Sequence, residues 1–343
     1  MSRWFEETGK DGDVVISSRV RLARNIADYN FSLKLDDKDA KKLIKETSDK
    51  IDNIKELEKY AYYNFDSLDD YQKMAMKERH VISEYLLGQE LAAGYVSSQE
   101  NVSIMLNEED HIRIQTYSTG MDLDKCYKMA DTIDDYLGAE LNYAYDVKYG
   151  YLTTCLSSVG TGMKTSYMLH LPALTDYSRI AGLASEVGRF GLVLRSVYSD
   201  GIKSYGDIYQ ISNQVTLGVS EGEIIDNITH ITKQIVDQER SMRKQFINEK
   251  KVNALDNVYR SYGVLKYARK LTLTDAMVLL SQIRLGIATG LIKPEASDNY
   301  NVYQLMIGIQ PGNLELMGDE ELDDEELDVR RASFIRENLV NIL

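Results

Sequence analysis

The sequence predicts an α+β protein, in which a sheet flanked by helices is followed by a helical C-terminal region. Short segments with alternating apolar residues, such as 102–106, recur before Ser220 and indicate half-buried strands. From Ser220 onward only helical patterns continue, beginning with a capping box of Ser220 and Glu223. We therefore predict one domain at 1–250 and a second, helical domain at 251–343.

Each predicted element rests on the spacing of its apolar residues. Strands are predicted where these residues alternate or form a short run between turn residues: 14–16, 102–106, 112–114, 149–154, 165–171, 191–198 and 208–217. Helices are predicted where they recur every three to four positions: 36–60, 122–137, 175–190, 220–250, 254–270 and 274–290. The final stretch begins with an acidic run and ends in an amphipathic segment.

Composition narrows the possible classes of protein. The chain has 343 residues, of which 43% are hydrophobic, enough for a substantial core. No apolar run reaches the roughly 18 residues of a membrane span, and the polar start at 1–12 is unlike a signal peptide, so we expect a soluble, cytoplasmic protein. Cys126 and Cys155 are the only cysteines and lack C-x-x-C spacing, so neither a disulfide framework nor a zinc site is indicated. The formal net charge of -14 argues against nucleic acid and favours ligands that carry arginine or lysine.

The segment 107–115, N-E-E-D-H-I-R-I-Q, places three carboxylates, a histidine and an arginine between two apolar runs. Alternation on both sides predicts that this polar cluster is a turn or strand start mounted on a sheet. A positioned carboxylate can orient a substrate or accept its proton, and an arginine nearby can bind an anion through two parallel hydrogen bonds. A solvated charged hairpin is the alternative, and the segment by itself leaves both open.

Two further segments have a chemistry that suits phosphate. Arg19 and Arg21 fall on one face of an extended segment, because side chains alternate along a strand, and two arginines on one face form an anion site. A basic surface edge would explain the same pattern. Residues 153–164 combine two glycines, several hydroxyls and Lys164 after a predicted strand, so backbone amides and a cation could meet a phosphate. A plain hairpin turn explains those glycines equally well.

Four segments in this order, 17–21, 107–113, 155–162 and 211–213, resemble the phosphagen kinase superfamily, the fold of creatine and arginine kinases. The short N-terminal region, the sequences M-L-H-L-P-A-L and I-S-N-Q-V-T-L-G, and the helical C-terminus are most similar to the bacterial protein arginine kinases. The resemblance covers nearly the whole chain. It implies an antiparallel sheet flanked by helices, of the glutamine synthetase-like kind, and a C-terminal helical domain for dimerisation and for substrate or phosphoarginine binding.

The resemblance implies that ATP and Mg²⁺ are used, with the metal held through the nucleotide and not by protein ligands. His80 matches a position that packs beside the nucleotide base. The nucleotide phosphates would be lined by residues of three segments together with one arginine: Ser17, Ser18, Arg19, Val20, Arg21, Arg113, Lys164, Thr165, Ser166, Tyr167, Met168, Arg195, Ser196, Val197, Tyr198, Ser199 and Asp200. A positive enclosure of this kind spreads the charge of the transferring phosphoryl group and aligns donor with acceptor.

The resemblance also implies catalytic groups for a guanidinium acceptor, which is a poor nucleophile because its pKa lies above about 12. Glu109 matches the glutamate that orients the guanidinium and helps to remove its proton. Asp200 falls where the family has a second carboxylate, and Cys155 matches a reactive cysteine whose thiolate would lie close to the same guanidinium. A buried small apolar side chain is the alternative for Cys155.

Several positions in these motifs depart from the family pattern. Asp200 is shorter by one methylene than the usual glutamate, and a misplacement of about 1 Å can cost on the order of 100-fold in rate. Lys164 stands where an arginine is common, so charge is kept but bidentate phosphate contact is lost. Leu156 and Ser158 replace the usual Pro and Asn of the cysteine loop.

The segment 327–332, L-D-V-R-R-A, is similar to the R-D-x-x-R-A phosphoarginine pocket of the bacterial enzymes. Leu327 replaces the first arginine, whereas Asp328 and Arg331 remain, so weakened or altered phosphoarginine binding is expected. The resemblance further implies a homodimer and, as partners, a Clp chaperone or protease and a zinc-binding activator protein.

The implied function is ATP-dependent phosphorylation of exposed arginine side chains of proteins, which marks them for Clp degradation and regulates a stress-response repressor. A small-molecule guanidino kinase is one alternative, but it needs a substantial N-terminal domain, and the region before Ser17 is short. A catalytically weakened kinase fold that acts as a phosphoarginine or Clp adaptor is the other. The substitutions at Lys164, Asp200 and Leu327 favour that second alternative.

Overall fold

An eight-stranded antiparallel sheet forms the centre of the fold. The computed structural model describes residues 2–199, 204–295 and 300–342. The strands are β1 Val15–Arg24, β2 Ala61–Asn64, β3 Ala93–Val96, β4 Val102–Leu106, β5 Ile112–Thr119, β6 Tyr145–Asp146, β7 Gly150–Tyr151, β8 Met163–His170, β9 Leu192–Ser196 and β10 Ile208–Asn213. The large sheet has the order β2-β3-β4-β5-β1-β8-β10-β9, and β6 pairs with β7 separately. The predicted antiparallel sheet is confirmed.

Helices flank the sheet and make up most of the C-terminal region. They are α1 Asp37–Ile51, α2 Asp70–Glu78, α3 Leu123–Glu140, α4 Pro172–Asp176, α5 Ile180–Gly188, α6 Glu221–Tyr267, α7 Leu273–Ala288, α8 Tyr303–Gly308, α9 Pro311–Gly318 and α10 Asp324–Asn338. The predicted capping box is present at the start of α6. There the hydroxyl of Ser220 accepts the N–H of Glu223, and the carboxylate of Glu223 accepts the N–H of Ser220.

The side chains of the inner strand β1 point alternately to two chemically different faces of the sheet, one apolar and one cationic. Val20 and Leu22 are buried on one face, in an apolar core that α1, α3 and the first half of α6 cover. Arg19 and Arg21 alternate with them and therefore point to the other face. Because β1 has bonded neighbours on both sides, the interpretation of this segment as a basic surface edge is excluded.

The C-terminal helices form a second core that includes residues from the beginning of the chain. Tyr303 and Ile335 pack in the same cluster as Trp4 and Tyr117. The long helix α6 connects the two cores and is interrupted at Lys250, where φ of -134° and ψ of 37° are not helical. The division of the chain into two domains near this residue remains a prediction, since the second core takes residues from both sides of it.

Several predicted elements differ from the structure. The helix predicted at 36–60 ends at Ile51, and the helices predicted at 220–250 and 254–270 form the one element α6. The helix predicted at 175–190 is divided into α4 and α5, because Ser178 adopts a left-handed φ of 55° that no helix continues through. The strand predicted at 149–154 is reduced to the two residues of β7. Beyond β7 the chain leaves its partner strand, and the N–H of Thr154 bonds to the side chain of Asp110 instead. Within the described part of the chain, every helix is too short or too polar to cross a bilayer.

Candidate active site

Five cationic side chains lie on the polar face of the sheet: Arg19 and Arg21 on β1, Arg113 on β5, Lys164 on β8 and Arg195 on β9. Directly paired residues of antiparallel strands share a face. Arg21 pairs with Lys164, and Ala23 pairs with Arg113. Arg195 pairs with Gln210, and Gln210 pairs with Met168. Met168 pairs with Ser17, which lies on the same face of β1 as Arg19. The strand register therefore brings the five cations onto one face, where they attract a polyanion.

Arg19 and Arg21 differ in how they are hydrogen-bonded. Arg19 donates to Ser166 Oγ, to the hydroxyl of Tyr117 and to Gln210 Oε1 at 3.2, 3.1 and 2.8 Å. Arg21 has a buried Nε that lacks a hydrogen-bond partner among the described residues. The charge of Arg19, reinforced by burial, lowers the pKa of Arg21 well below its ordinary value. This pair thus holds a crowded positive charge and a free N–H donor, both of which an anionic ligand would satisfy.

A group of aromatic side chains lies beside Arg19. Trp4 stacks on Tyr117 with ring centroids 4.6 Å apart, and the His80 ring lies 6.0 Å from Tyr117. The Nε2 atom of His80 is 2.8 Å from the hydroxyl of Tyr303. Burial lowers the pKa of His80 to about 3, so this ring is neutral at physiological pH. Flat, uncharged rings of this kind are suited to packing against a planar base.

The turn between β4 and β5 holds two adjacent carboxylates beside Arg113. Arg113 forms ion pairs with Glu108 and, at 3.2 Å, with Glu109. Glu108 is buried and also accepts hydrogen bonds from Ser83 Oγ and the N–H of Glu109, each at 2.6 Å. Burial raises the pKa of Glu108 above its ordinary value. The side chain of Glu109 is 42% exposed, so it is the carboxylate of this pair that a ligand can reach.

The remainder of this turn is anchored inside the protein. The Asp110 carboxylate accepts the side-chain amide of Asn25 and the N–H of Thr154, both at 2.7 Å. His111 Nδ1 accepts the backbone N–H of Ile26 at 3.0 Å. Glu108, Asp110 and His111 are all buried. The alternative of a solvated hairpin is therefore excluded, since most of the polar cluster is packed and hydrogen-bonded.

Cys155 lies next to this turn because the residue before it, Thr154, is bonded to the turn. Cys155 is half-buried, and its sulfur lies 3.1 Å from the hydroxyl of Ser157. Lys164 is close enough for its charge to interact with that sulfur. Cys126, in contrast, is buried in the apolar core, and burial raises the pKa of its thiol. The role of a small buried apolar residue thus fits Cys126 and not Cys155.

The glycines after Cys155 form a packed crossing of segments, not a simple hairpin turn. Gly160 has φ of 113°, and an added Cβ would lie 2.2 Å from the carbonyl oxygen of Thr216. The N–H of Gly160 bonds to the Tyr151 carbonyl, and the N–H of Gly162 is likewise bonded within the protein. These amides are not free for a phosphate. Lys164 is therefore the group of this segment that faces the candidate site.

The strand register also separates the other predicted nucleotide-binding residues. Three of them share the face of the cations: Ser17, Ser166 and Met168. Four have side chains on the opposite face, so only their backbone could contribute: Ser18, Val20, Thr165 and Tyr167. Four more directly follow Arg195 and end the first described range of residues: Ser196, Val197, Tyr198 and Ser199. Asp200, the predicted second carboxylate, lies outside the described residues.

The two predicted phosphoarginine-binding residues contact each other in the C-terminal region. Arg331 donates to the Asp328 carboxylate at 2.6 Å. It also donates to the carbonyl oxygens of Ile309 and Leu271 at 3.0 and 2.9 Å. Arg331 is buried, and burial lowers its pKa. Its guanidinium is thus largely satisfied by the protein itself, and its role in phosphoarginine binding remains a prediction.

Sequence reasoning assigned no role to several residues that anchor the predicted site residues: Asn25, Glu108, Asp110, Trp4 and Tyr303. A signal was present for Glu108 and Asp110, which flank Glu109 in the polar cluster. Trp4 also had one, as the single tryptophan of the chain. Tyr303 is one of 24 tyrosines and lies far from His80 in sequence, so no local pattern connects the two.

Comparison with known proteins agrees with this geometry. Residues 42–242 match the family described as ATP:guanido phosphotransferase, C-terminal catalytic domain. Residues 251–342 match the protein-arginine kinase McsB C-terminal domain. A solved duplicated taurocyamine kinase from Schistosoma mansoni is 21% identical with a TM-score of 0.60, covering 70% of this chain and 35% of that chain. Lombricine kinase is 18% identical with a TM-score of 0.60, covering 70% of each chain. The fold is therefore that of the guanidino phosphotransferases.

Relatives with similar sequences extend over nearly the full length. The protein-arginine kinase of Bacillus cereus (strain B4264) is 39% identical over 341 residues, which cover 99% of this chain and 96% of the relative. That of Caldanaerobacter subterraneus subsp. tengcongensis is 40% identical over 333 residues, which cover 96% and 98%. The chain therefore belongs to the protein-arginine kinase family. The expected family and enzyme class are confirmed, and use of ATP follows from membership of the ATP:guanido phosphotransferases.

Proposed function

We propose that this protein transfers the γ-phosphoryl group of ATP to arginine side chains of proteins. The observation that carries the proposal is the position of Glu109, a reachable carboxylate held on Arg113, at the border of the face that contains Arg21. The carboxylate of Glu109 is suited to binding a guanidinium, and the face that contains Arg21 is suited to binding a polyphosphate. The names of the relatives support protein-bound arginine as the acceptor.

The cationic face suits the phosphates of ATP. Arg19, Arg21, Lys164 and Arg195 carry donors for phosphate oxygens, and the buried Nε of Arg21 would gain the partner it lacks among the described residues. The aromatic group beside Arg19, with His80, would receive the base. Mg²⁺ would be held through the nucleotide, where it neutralises charge on the transferring group. Within the described chain, no three His, Cys, Asp or Glu residues are grouped so that they could bind a metal ion.

Glu109 would bind the substrate guanidinium in competition with Arg113. The carboxylate orients the attacking nitrogen and accepts a proton from it, because a guanidinium has no free lone pair at neutral pH. The nitrogen forms a bond to the γ-phosphorus, the bond from that phosphorus to the bridging oxygen breaks, and ADP leaves with the electron pair. A Cys155 thiolate would add negative charge next to the guanidinium. Asp200 is proposed as the second carboxylate.

Phosphoarginine detection tests this proposal. Wild type and Glu109→Gln are incubated with Mg-ATP and an arginine-rich protein, and the products are analysed by mass spectrometry under non-acidic conditions. We expect phosphoarginine with wild type and a loss on the order of 100-fold with Glu109→Gln. Glu337→Gln, which removes an exposed carboxylate on α10, serves as the matched control and should be fully active.

The same assay distinguishes the two alternatives. Efficient phosphorylation of free arginine, with little transfer to protein, would identify a small-molecule guanidino kinase. ATP binding without transfer to any acceptor, even with a candidate zinc-binding activator present, would identify an adaptor. In that case binding of phosphoarginine proteins or a Clp chaperone should be unchanged in Glu109→Gln.

We further propose a cytoplasmic setting in which the phosphoarginine mark directs proteins to a Clp protease and controls a stress-response repressor. A homodimer through the C-terminal region is part of this proposal. In its support, the second half of α6 exposes four large apolar side chains: Val252, Tyr259, Val264 and Tyr267. Exposed apolar surface of this kind is typical of protein interfaces. Sedimentation of wild type and Tyr267→Glu tests it, since the charged variant should be monomeric.

A further inference from the structure

We propose that Tyr303 of α8 positions His80 for the nucleotide base, so that the C-terminal region completes the ATP site. The inference rests on the proposed function, because it assumes that the aromatic group beside Arg19 receives the base. It assigns to Tyr303 a positioning role, without contact to the reacting atoms.

The backbone of His80 adopts a conformation that requires support from other segments. Its φ of 64° lies in the left-handed region, which residues other than glycine rarely adopt. The N–H of His80 bonds to the Lys77 carbonyl at 2.9 Å, and its carbonyl accepts the side-chain amide of Gln115 at 2.8 Å. Gln115 pairs with Arg21 across β1 and β5. The backbone of His80 is thereby tied to the cationic face.

The ring of His80 is tied to the C-terminal region. Its Nε2 atom lies 2.8 Å from the hydroxyl of Tyr303, which is 0% exposed. The same hydroxyl lies 3.4 Å from that of Tyr198, two residues after the end of β9. Trp4 and Tyr117 flank the His80 ring at 6.1 and 6.0 Å. Rotation of the ring would break the bond to Tyr303 and leave a buried ring nitrogen without that partner.

The two residues before His80 contact the same part of the C-terminal region. The Glu78 carboxylate accepts the backbone N–H groups of Gly312 and Asn313 at 3.1 and 3.0 Å. Arg79 donates to the side-chain oxygen of Asn313 at 3.0 Å. An added Cβ at Gly312 would lie 2.6 Å from the Ala75 nitrogen, so the start of α9 packs directly on the backbone of α2.

Three consecutive residues, Glu78, Arg79 and His80, therefore bond to residues 303–313. His80 lies within the segment that matches the catalytic family, whereas Tyr303 lies within the segment that matches the C-terminal family. Tyr303 bonds to the ring of His80, which would lie beside the base, and not to the arginines that would bind the phosphates. Loss of this contact should weaken binding of a nucleotide while leaving a base-free polyphosphate unaffected.

Isothermal titration of Tyr303→Phe without acceptor protein tests the inference. Phe keeps the packing and removes only the hydroxyl. We expect the affinity for Mg-ATP to fall about 3- to 10-fold, as for the loss of one hydrogen bond, and the affinity for inorganic tripolyphosphate to stay unchanged. Tyr262→Phe is the matched control, since it removes a hydroxyl that donates to Val340 elsewhere in the C-terminal region. It should bind both ligands as wild type does.

A double-mutant cycle with His80→Phe shows whether Tyr303 acts through His80. Non-additive losses of ATP affinity support the inference, and additive losses overturn it. Unchanged ATP affinity in Tyr303→Phe overturns it as well, and so does an equal loss for tripolyphosphate. If melting curves show Tyr303→Phe to be unfolded, His80→Phe takes its place. A loss of affinity confined to ATP is then expected, and an equal loss for tripolyphosphate overturns the inference. Phosphotransfer is measured separately, so the proposed function can fail while this inference stands.

Discussion

The Asp110 carboxylate accepts the backbone N–H of Thr154 at 2.7 Å, and this bond joins the turn that bears Glu109 to the loop that bears Cys155. The same oxygen of Asp110 accepts the side-chain amide of Asn25, also at 2.7 Å. Asp110 is buried, so neither donor has ready access to water in its place. The relative position of the two candidate reactive groups is thus set by a carboxylate that has no proposed part in the reaction.

Replacement of Asp110 by Ala should lower activity only because it shifts Glu109 and Cys155 relative to each other. We expect phosphotransfer to fall about 100-fold, and the free energy of unfolding to fall by about 2–4 kcal/mol, since two buried donors lose their acceptor. Arginine phosphorylation and urea unfolding measure the two effects. Asp146→Ala is the control, because Asp146 also accepts two backbone N–H groups, but on an exposed turn. Full activity of Asp110→Ala would show that Cys155 and Glu109 need no such link.

Arg21→Met should stabilise the free protein while it weakens ATP binding. The charge of Arg19 and burial both disfavour the charged form of Arg21, so an uncharged side chain of similar length relieves repulsion. We expect the melting temperature to rise by about 2–4 °C and the affinity for ATP to fall at least about 10-fold. Arg260→Met removes an exposed cation on α6 and should change neither. A lower melting temperature in Arg21→Met would contradict the repulsion between Arg19 and Arg21, and an unchanged affinity for ATP would contradict the assignment of Arg21 to an anionic ligand.

Glu78 should make the stability of the protein depend on pH. Burial raises the pKa of Glu78 to about 7, above its ordinary value of 4.5, so the folded state binds the proton more tightly than the unfolded state. The stabilisation from Glu78 is therefore complete below about pH 4.5 and is lost as the pH rises through about 7. Unfolding free energies of wild type and Glu78→Gln, compared at pH 5, 6, 7 and 8, isolate this effect. We expect the difference, wild type minus variant, to decline with rising pH, and a constant difference would contradict the prediction.

Trp4 should report nucleotide binding by its fluorescence. It is the single tryptophan of the chain, and it stacks at 4.6 Å on Tyr117, whose hydroxyl accepts a hydrogen bond from Arg19. A ligand that engages Arg19 or His80 changes the surroundings of the indole, so Mg-ATP should cause a saturable change in emission. Trp4→Phe removes the signal and gives the background. An emission that stays constant while calorimetry detects ATP binding would place the nucleotide away from this aromatic group.

The sequence predicted those features that depend on local spacing. Alternation along a strand put Arg19 and Arg21 on one face, and the register confirms it. The capping box at Ser220 marked the start of α6 for the same reason, since its hydrogen bonds close within one turn. The helix at 175–190 was not predicted correctly, because a single left-handed residue, Ser178, ends α4 without a glycine or proline signal.

By itself, then, the sequence determined which residues alternate on β1, which turn carries the candidate acceptor-binding carboxylate, and, through ordered motifs, which family the chain belongs to. Only the tertiary structure decided that Lys164 and Arg195 join Arg19 on one face, that Asp110 holds the Cys155 loop, and that Tyr303 reaches His80. Periodicity acts over a few residues, because it follows from the geometry of one strand or one helix. Contacts between distant segments depend on strand register and on the packing of whole helices, which no short stretch of sequence specifies.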